Sequence, residues 1–397
     1  MAKHVKKINK CRICKSNTLS TFLPLGDIPL PNGFLTEEDV HKKEAYYPLT
    51  TGICTTCGLA QLMETVDPEV MFRNYVYIPS TSKTRMKNFE SIAQDANQLA
   101  NLSSDSLIID IGSNDGSLLS FFKGYGMKVL GIDPAINLAK IAELKGIETV
   151  NDYITPELAK KIRKTRGPAQ IITATNVVAH IDDLHGLLKS IEILLADDGI
   201  FICEFPYFLD LIENNQFDTI YHEHLSYFAI KPLINLIAQT QLEFLDIRRT
   251  EIDGGSLRVF LQKRQSDSDG KLPPKVKRLL EKEKSAGLDD VKTLKLFAKR
   301  VKELRIDLKK TLTDLKAKKK TIAAYGAAAK GNILLNYCNI THKLIDFAVD
   351  STPYKQGLYM PGTHIRIYPE SEIMNRKPDY ILILAWNFAR EIMEKER

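Results

Sequence analysis

Residues 106–116 read Ser106-Leu107-Ile108-Ile109-Asp110-Ile111-Gly112-Ser113-Asn114-Asp115-Gly116, an apolar run that ends in a polar turn bracketed by glycines. A short run of Leu and Ile closed by such a turn predicts a buried strand passing into a helix. The same beat returns at 128–133, 170–175 and 199–204, with amphipathic stretches such as Asn137 to Lys145 and Leu184 to Leu195 between. Strands alternating with helices predict βαβ units and a parallel sheet covered on both faces. Leu242 to Arg248 and Ser256 to Gln262 flank Asp253-Gly254-Gly255 and are expected as an antiparallel edge on that sheet.

The chain of 397 residues is too long for one core, so two or three domains are expected. Residues 1–75 hold two cysteine pairs and a proline-rich middle, with little helical period and no long strand expected. Residues 76–265 form the α/β unit just described. Residues 266–397 open after a polar break over 265–270. They read as lysine-rich helices (275–320) joined to a second α/β unit, with strands at Thr321 to Tyr325, Leu344 to Asp350 and Tyr380 to Ala385.

Cys11-Arg12-Ile13-Cys14 and Cys54-Thr55-Thr56-Cys57 each aim two thiols at one centre. Two such turns make a four-cysteine tetrahedral zinc site, and with no open position the metal is expected to be structural. Cys203 and Cys338 stand alone in apolar surroundings and read as buried small hydrophobes.

The turn after the first strand, with Asp110, Gly112, Asn114, Asp115 and Gly116, lets a ligand approach the backbone and offers free N–H groups. Asp133 ends the next strand, where a carboxylate can accept from both hydroxyls of a ribose. This spacing differs from the G-x-G-x-x-G of dinucleotide sites and resembles class I S-adenosylmethionine methyltransferases. Asn176, ending the following strand, is placed to touch the same cofactor.

Phe217 to Phe228 concentrates titratable groups, among them Tyr221, His222, Glu223 and His224, beyond the strand ending at Glu204. The carboxyl edge of an open parallel sheet is where ligands bind, and His180 should face the same cleft. Histidine suits a base that works near neutrality, with Glu or Tyr to orient it or to donate to an oxyanion. The segment reads equally as a capped helix start, and a metal site is a third option.

Taken together, the chain resembles the sugar-nucleotide C-methyltransferases of deoxysugar biosynthesis over nearly its whole length. The resemblance rests on the cysteine segment, DIGSNDG (110–116), EFPYF (204–208) with FDTIYHEHLSYF (217–228), YGAAAKGNILLNYC (325–338) and VDSTPYKQGLYMPGTHI (349–365). It implies a zinc module, a central class I (Rossmann-like) methyltransferase domain and a C-terminal Rossmann-like α/β domain. It also implies methylation of a nucleotide-linked keto-sugar at the carbon beside the ketone, by a monomer that needs no catalytic metal. His224 is the implied base, with Tyr221, Glu223, His180 and Tyr75 around it. Ser80, Lys330 in Gly326 to Gly331, and Lys355 are the expected substrate contacts, although the small residues of that turn serve close helix–sheet packing equally well.

A net charge of +6 suits an anionic small substrate as well as nucleic acid, so a zinc-containing RNA methyltransferase is the rival reading. Against it, the lysines of 275–320 are interspersed with acids and carry no interleaved aromatics, so no nucleic-acid partner is expected. No apolar run reaches the length of a membrane span, and no apolar segment follows the basic start. The cytoplasm is the expected compartment.

Overall fold

The computed structural model describes residues 4–73, 75, 77–266 and 270–396. Its centre is a seven-stranded sheet in the order Leu242–Thr250, Ser256–Lys263, Leu195–Pro206, Ala169–Thr175, Leu107–Ile111, Lys128–Ile132, Thr149–Val150. The five strands from Leu195–Pro206 to Thr149–Val150 pair in parallel, and Ser256–Lys263 pairs antiparallel with both of its neighbours. Leu107–Ile111 is buried at every position, as a central strand covered on both faces must be.

The expectation of no long strand before residue 75 is wrong. Leu19–Ile28 and Tyr47–Cys54 pair antiparallel over most of their length, and Ala60–Leu62 extends the sheet. Prolines and polar residues hid the period, because Pro24 and Gly26 sit at register shifts where the ladder is already interrupted.

The fourth strand of this N-terminal sheet is Ser226–Tyr227, contributed by the histidine-bearing segment. That segment is not a capped helix start. A short turn at Phe217–Thr219 is followed by irregular buried chain, and the next helix begins at Ile230. Its backbone is satisfied by neighbours instead: Leu225 N donates to Ala179 O at 2.7 Å, and Leu62 N donates to Leu225 O at 3.0 Å.

Beyond the helices Pro274–Ser285 and Val291–Ala317 lies a four-stranded all-parallel sheet, in the order Ile367–Tyr368, Phe347–Val349, Ile322–Tyr325, Tyr380–Ile383. The strand expected over 344–350 is only three residues long, because Thr341 to Leu344 turns before it. Residues 267–269 of the expected polar break, and Val76 beside Tyr75, lie outside the described residues. One continuous apolar core runs from Cys11 to Leu384, so the three regions share packing rather than merely touching. Cys203 and Cys338 are buried in it. Among the described residues no helix is long and apolar enough to cross a membrane.

Candidate active site

Cys11, Cys14, Cys54 and Cys57 converge so that their four sulfurs lie within 4.8 Å of one another. Cys11 and Cys57 Sγ are 3.4 Å apart, and Cys14 and Cys54 Sγ 3.5 Å. Tetrahedral Zn–S bonds of about 2.3 Å put sulfurs roughly 3.8 Å apart, so the cluster fits zinc with little adjustment. Arg12, between the first two thiols, is buried and donates to Asp182 Oδ1 and Leu62 O, each at 2.8 Å, which locks the zinc module to the central domain.

A cleft of about 770 Å³ opens at the carboxyl edge of the central sheet and is walled by all three regions. On its floor is the turn after Ile111. Gly112 has φ +68°, and a Cβ there would overlap Val177 Cγ2, so only glycine fits. Asp133 accepts from Asn114 N and Ala135 N, both at 2.8 Å, which fixes its carboxylate against the turn. Asp110, also on the wall, is pushed up to about 7 by burial, against the 2.6 Å bond it accepts from the Thr173 hydroxyl. Ser113 Oγ and Asn176 Oδ1 are buried on this wall without a protein partner among the described residues. Such orphaned groups fit a polar ligand such as S-adenosylmethionine, which Gly112, Asp133 and Asn176 could hold.

Not every residue expected at the cofactor faces it. Asp115 is turned away, accepting from Lys145 Nζ at 2.7 Å and from Ser117 N at 3.2 Å. Gly116 begins the helix Ser117–Gly124 and packs on Ile147. Ser80 is exposed beside Asp115 rather than on the cleft wall, so its expected substrate contact has no support here.

The histidine cluster lines the same cleft. His224 Nδ1 is 2.8 Å from Thr219 O. A carbonyl only accepts, so Nδ1 carries the proton and Nε2 keeps its lone pair. Burial pushes the His224 pKa down to about 4, with the Thr219 bond opposing, so the ring is neutral at pH 7. Tyr221 lies over it with ring centroids 4.0 Å apart, and His180 at 5.0 Å. Burial, then the field of His224, holds His180 well below its ordinary value, and its Nε2 has no partner among the described residues. Glu223 stands behind this layer, accepting from Tyr75 OH at 2.8 Å and Asn32 Nδ2 at 2.6 Å. Burial pushes Glu223 up to about 7. Burial, then Glu223, raises Tyr75 well above its ordinary value, so the phenol stays a donor.

Sequence reasoning missed three residues here. Asp253, read only as a hairpin turn, has φ +58° and ion-pairs with Arg85 Nη2 at 2.6 Å, while its other oxygen accepts from Asn176 Nδ2 at 3.0 Å. Burial alone would raise its pKa, but Arg85 and Lys330 outweigh it and hold the carboxyl low. Asn32 was read only as part of a proline-rich stretch. The sole signal was the Asp-Gly-Gly turn, since the partners come from positions far apart in the chain. Lys330 and Lys355 both line the cleft, as expected, and Lys355 Nζ is 3.4 Å from Asp350. Gly331 packs against Leu384, so the alanine-rich turn also serves close helix–sheet packing.

Three family models match successive parts of the chain. A zinc binding domain matches residues 11–72, a methyltransferase domain 85–247, and a C-methyltransferase C-terminal domain 251–397. The C-methyltransferase NovU of Streptomyces niveus is 35% identical over 393 residues, covering 99% of this chain and 93% of its own length. Among solved structures, the plantazolicin methyltransferase BpumL is 14% identical with TM-score 0.38, over 46% of this chain and 85% of its own. An S-adenosylmethionine-dependent methyltransferase from Anabaena variabilis is 18% identical with TM-score 0.35, over 44% of this chain and 84% of its own. With a four-thiol zinc site, a glycine turn facing Asp133 and this full-length kinship together, the chain belongs to the C-methyltransferase family and is an S-adenosylmethionine-dependent enzyme that forms a bond to carbon.

Proposed function

We propose that the enzyme methylates a nucleoside-diphosphate keto-deoxysugar at the carbon beside its ketone, through an enolate. The observation that carries this reading is the tautomer of His224: Nδ1–H is spent on Thr219 O, and a neutral Nε2 is left for a proton. Carbon becomes a nucleophile only when a C–H proton leaves, and a ketone beside it stores the resulting electron pair on oxygen. His224 takes that proton. Tyr221, whose hydroxyl burial keeps protonated, and His180 flank the base where the enolate oxygen forms. Glu223, bridging Tyr75 and Asn32, holds the wall behind them.

Gly112, Asp133 and Asn176 would hold the cofactor in the same cleft. The chemistry supplied by bound S-adenosylmethionine is an electrophilic methyl on a sulfonium, whose departure leaves a neutral thioether. The nucleotide part of the substrate is left the side walled by Lys355, which matches the sugar-nucleotide resemblance in the C-terminal motifs. Methyl-labelled S-adenosylmethionine offered with a panel of nucleoside-diphosphate keto-deoxysugars tests the reading. Label on the α-carbon of one of them is expected. Label in RNA, and in no sugar of the panel, would overturn it.

A further inference from the structure

An enolate carries a full negative charge, and the neutral donors Tyr221 and His180 offset only part of it in a water-poor cleft. The cations on the cleft wall are mostly committed elsewhere. Arg85 has its charge paired by Asp253, although its Nε and Nη1 have no hydrogen-bond partner among the described residues; Lys355 is held by Asp350 and Lys395 by Glu370, while Lys83 is exposed. Lys330 differs. Its Nζ donates to the Asp253 carbonyl oxygen at 3.1 Å and rests 4.6 Å from the centroid of the Trp386 ring. Among the described residues no carboxylate forms a contact ion pair with it, so two of its three N–H donors are uncommitted.

Its position is tied to that of the base. The helix Ala329–Tyr337 that carries Lys330 packs on the turn Phe217–Thr219, whose last carbonyl orients His224. Trp386, under the ammonium, donates from Nε1 to Asp218 Oδ2 of that same turn at 2.6 Å. One three-residue turn therefore sets both the proton acceptor and the uncommitted cation.

We propose that Lys330 is a catalytic residue of the methyl transfer, donating from its ammonium to the ketone oxygen and neutralising the enolate, rather than a phosphate anchor. The proposal rests on the keto-sugar reading above. The α-proton goes to His224 Nε2 and the C–H electron pair to the ketone oxygen, which Lys330 bonds without giving up a proton. That pair then returns to form the C–CH₃ bond, the C–S pair stays on sulfur, and the ketone is restored.

The test is exchange of the α-proton with deuterated water, run with S-adenosylhomocysteine so that no methyl can transfer, beside calorimetry of the nucleoside diphosphate alone. Lys330→Gln and Lys330→Met are expected to slow exchange about 10²–10³-fold, as for loss of one oxyanion donor. Nucleoside-diphosphate affinity should stay within roughly twofold, and Lys330→Arg should recover part of the exchange rate. Normal exchange per bound substrate with affinity weakened tenfold or more would overturn the assignment and make Lys330 a phosphate contact. A wild-type enzyme that neither exchanges nor methylates any keto-sugar would instead overturn the underlying reading, and this proposal with it. Unchanged cofactor affinity shows that a variant is folded. Should one substitution fail there, the other two decide.

Discussion

His224 Nδ1 and the Thr219 carbonyl oxygen, five positions apart in the chain, lie 2.8 Å from each other. This bond selects the tautomer and aims Nε2, while burial keeps the ring neutral. His224→Ala should therefore lower kcat by about 10²–10⁴-fold, the usual worth of a positioned base. Calorimetric affinity for S-adenosylmethionine should be unchanged, because the cofactor turn is formed by residues 110–116, away from His224 in the chain. An active variant would remove His224 from the reaction.

Asp133 is held by two backbone amides and still faces the cleft. Asp133→Ala removes the acceptor expected to meet the cofactor's ribose. A charge-assisted hydrogen bond is worth about 1.5–3 kcal/mol, so the cofactor Kd should rise roughly 10–100-fold. Titration calorimetry reads this directly, and an unchanged Kd would place the ribose elsewhere.

The zinc module is joined to the catalytic segment through the pairing of Ala60–Leu62 with Ser226–Tyr227. Cys54→Ser, or strong chelation, should empty the metal site and cut turnover roughly tenfold or more, since 221–227 loses its template. Cofactor affinity should change much less, because the Gly112 turn belongs to the other sheet. Metal analysis, turnover and calorimetry on one preparation make the comparison. Equal losses in all three would mean global unfolding.

His222 and His224 are both buried neutral, each pushed down to about 4 chiefly by burial. An unfolded histidine binds its proton near 6.5, so between about 6.5 and 4 the unfolded chain holds more protons than the folded one. The histidine contribution to stability should be full above that window and fall as pH drops through it, by up to about 3 kcal/mol per ring, while Asp110 and Glu223, pushed up to about 7, gain protons on folding and oppose it. Denaturant midpoints from pH 7 to 4 measure the slope. His222 lies off the cleft, bonded to Tyr47 O, so the stability difference between wild type and His222→Gln isolates its share, which should shrink as pH drops from 7 to 4. A pH-independent difference would contradict the buried neutral state.

Local patterns decided much of this protein. Apolar runs at a helix–strand beat specify the two parallel sheets, because burying Leu107–Ile111 on both faces needs no information from elsewhere. Two C-x-x-C turns specify a metal, since each already aims two thiols at one point. The turn at Gly112 and Asp133 were legible because each lies at the end of a strand, and the His224 cluster because titratable residues crowd 217–228. Tertiary structure alone decided the hairpin Leu19–Ile28 with Tyr47–Cys54, whose prolines and polar residues disguise the period. It also decided the orientation of Asp115 and Ser80, and the meeting of Arg85, Asp253 and Lys330 beside the base. Those three sit on different elements, up to 245 residues apart by their numbers, 85 and 330. Their chemistry depends on charge and desolvation at a shared wall, which only long-range packing creates.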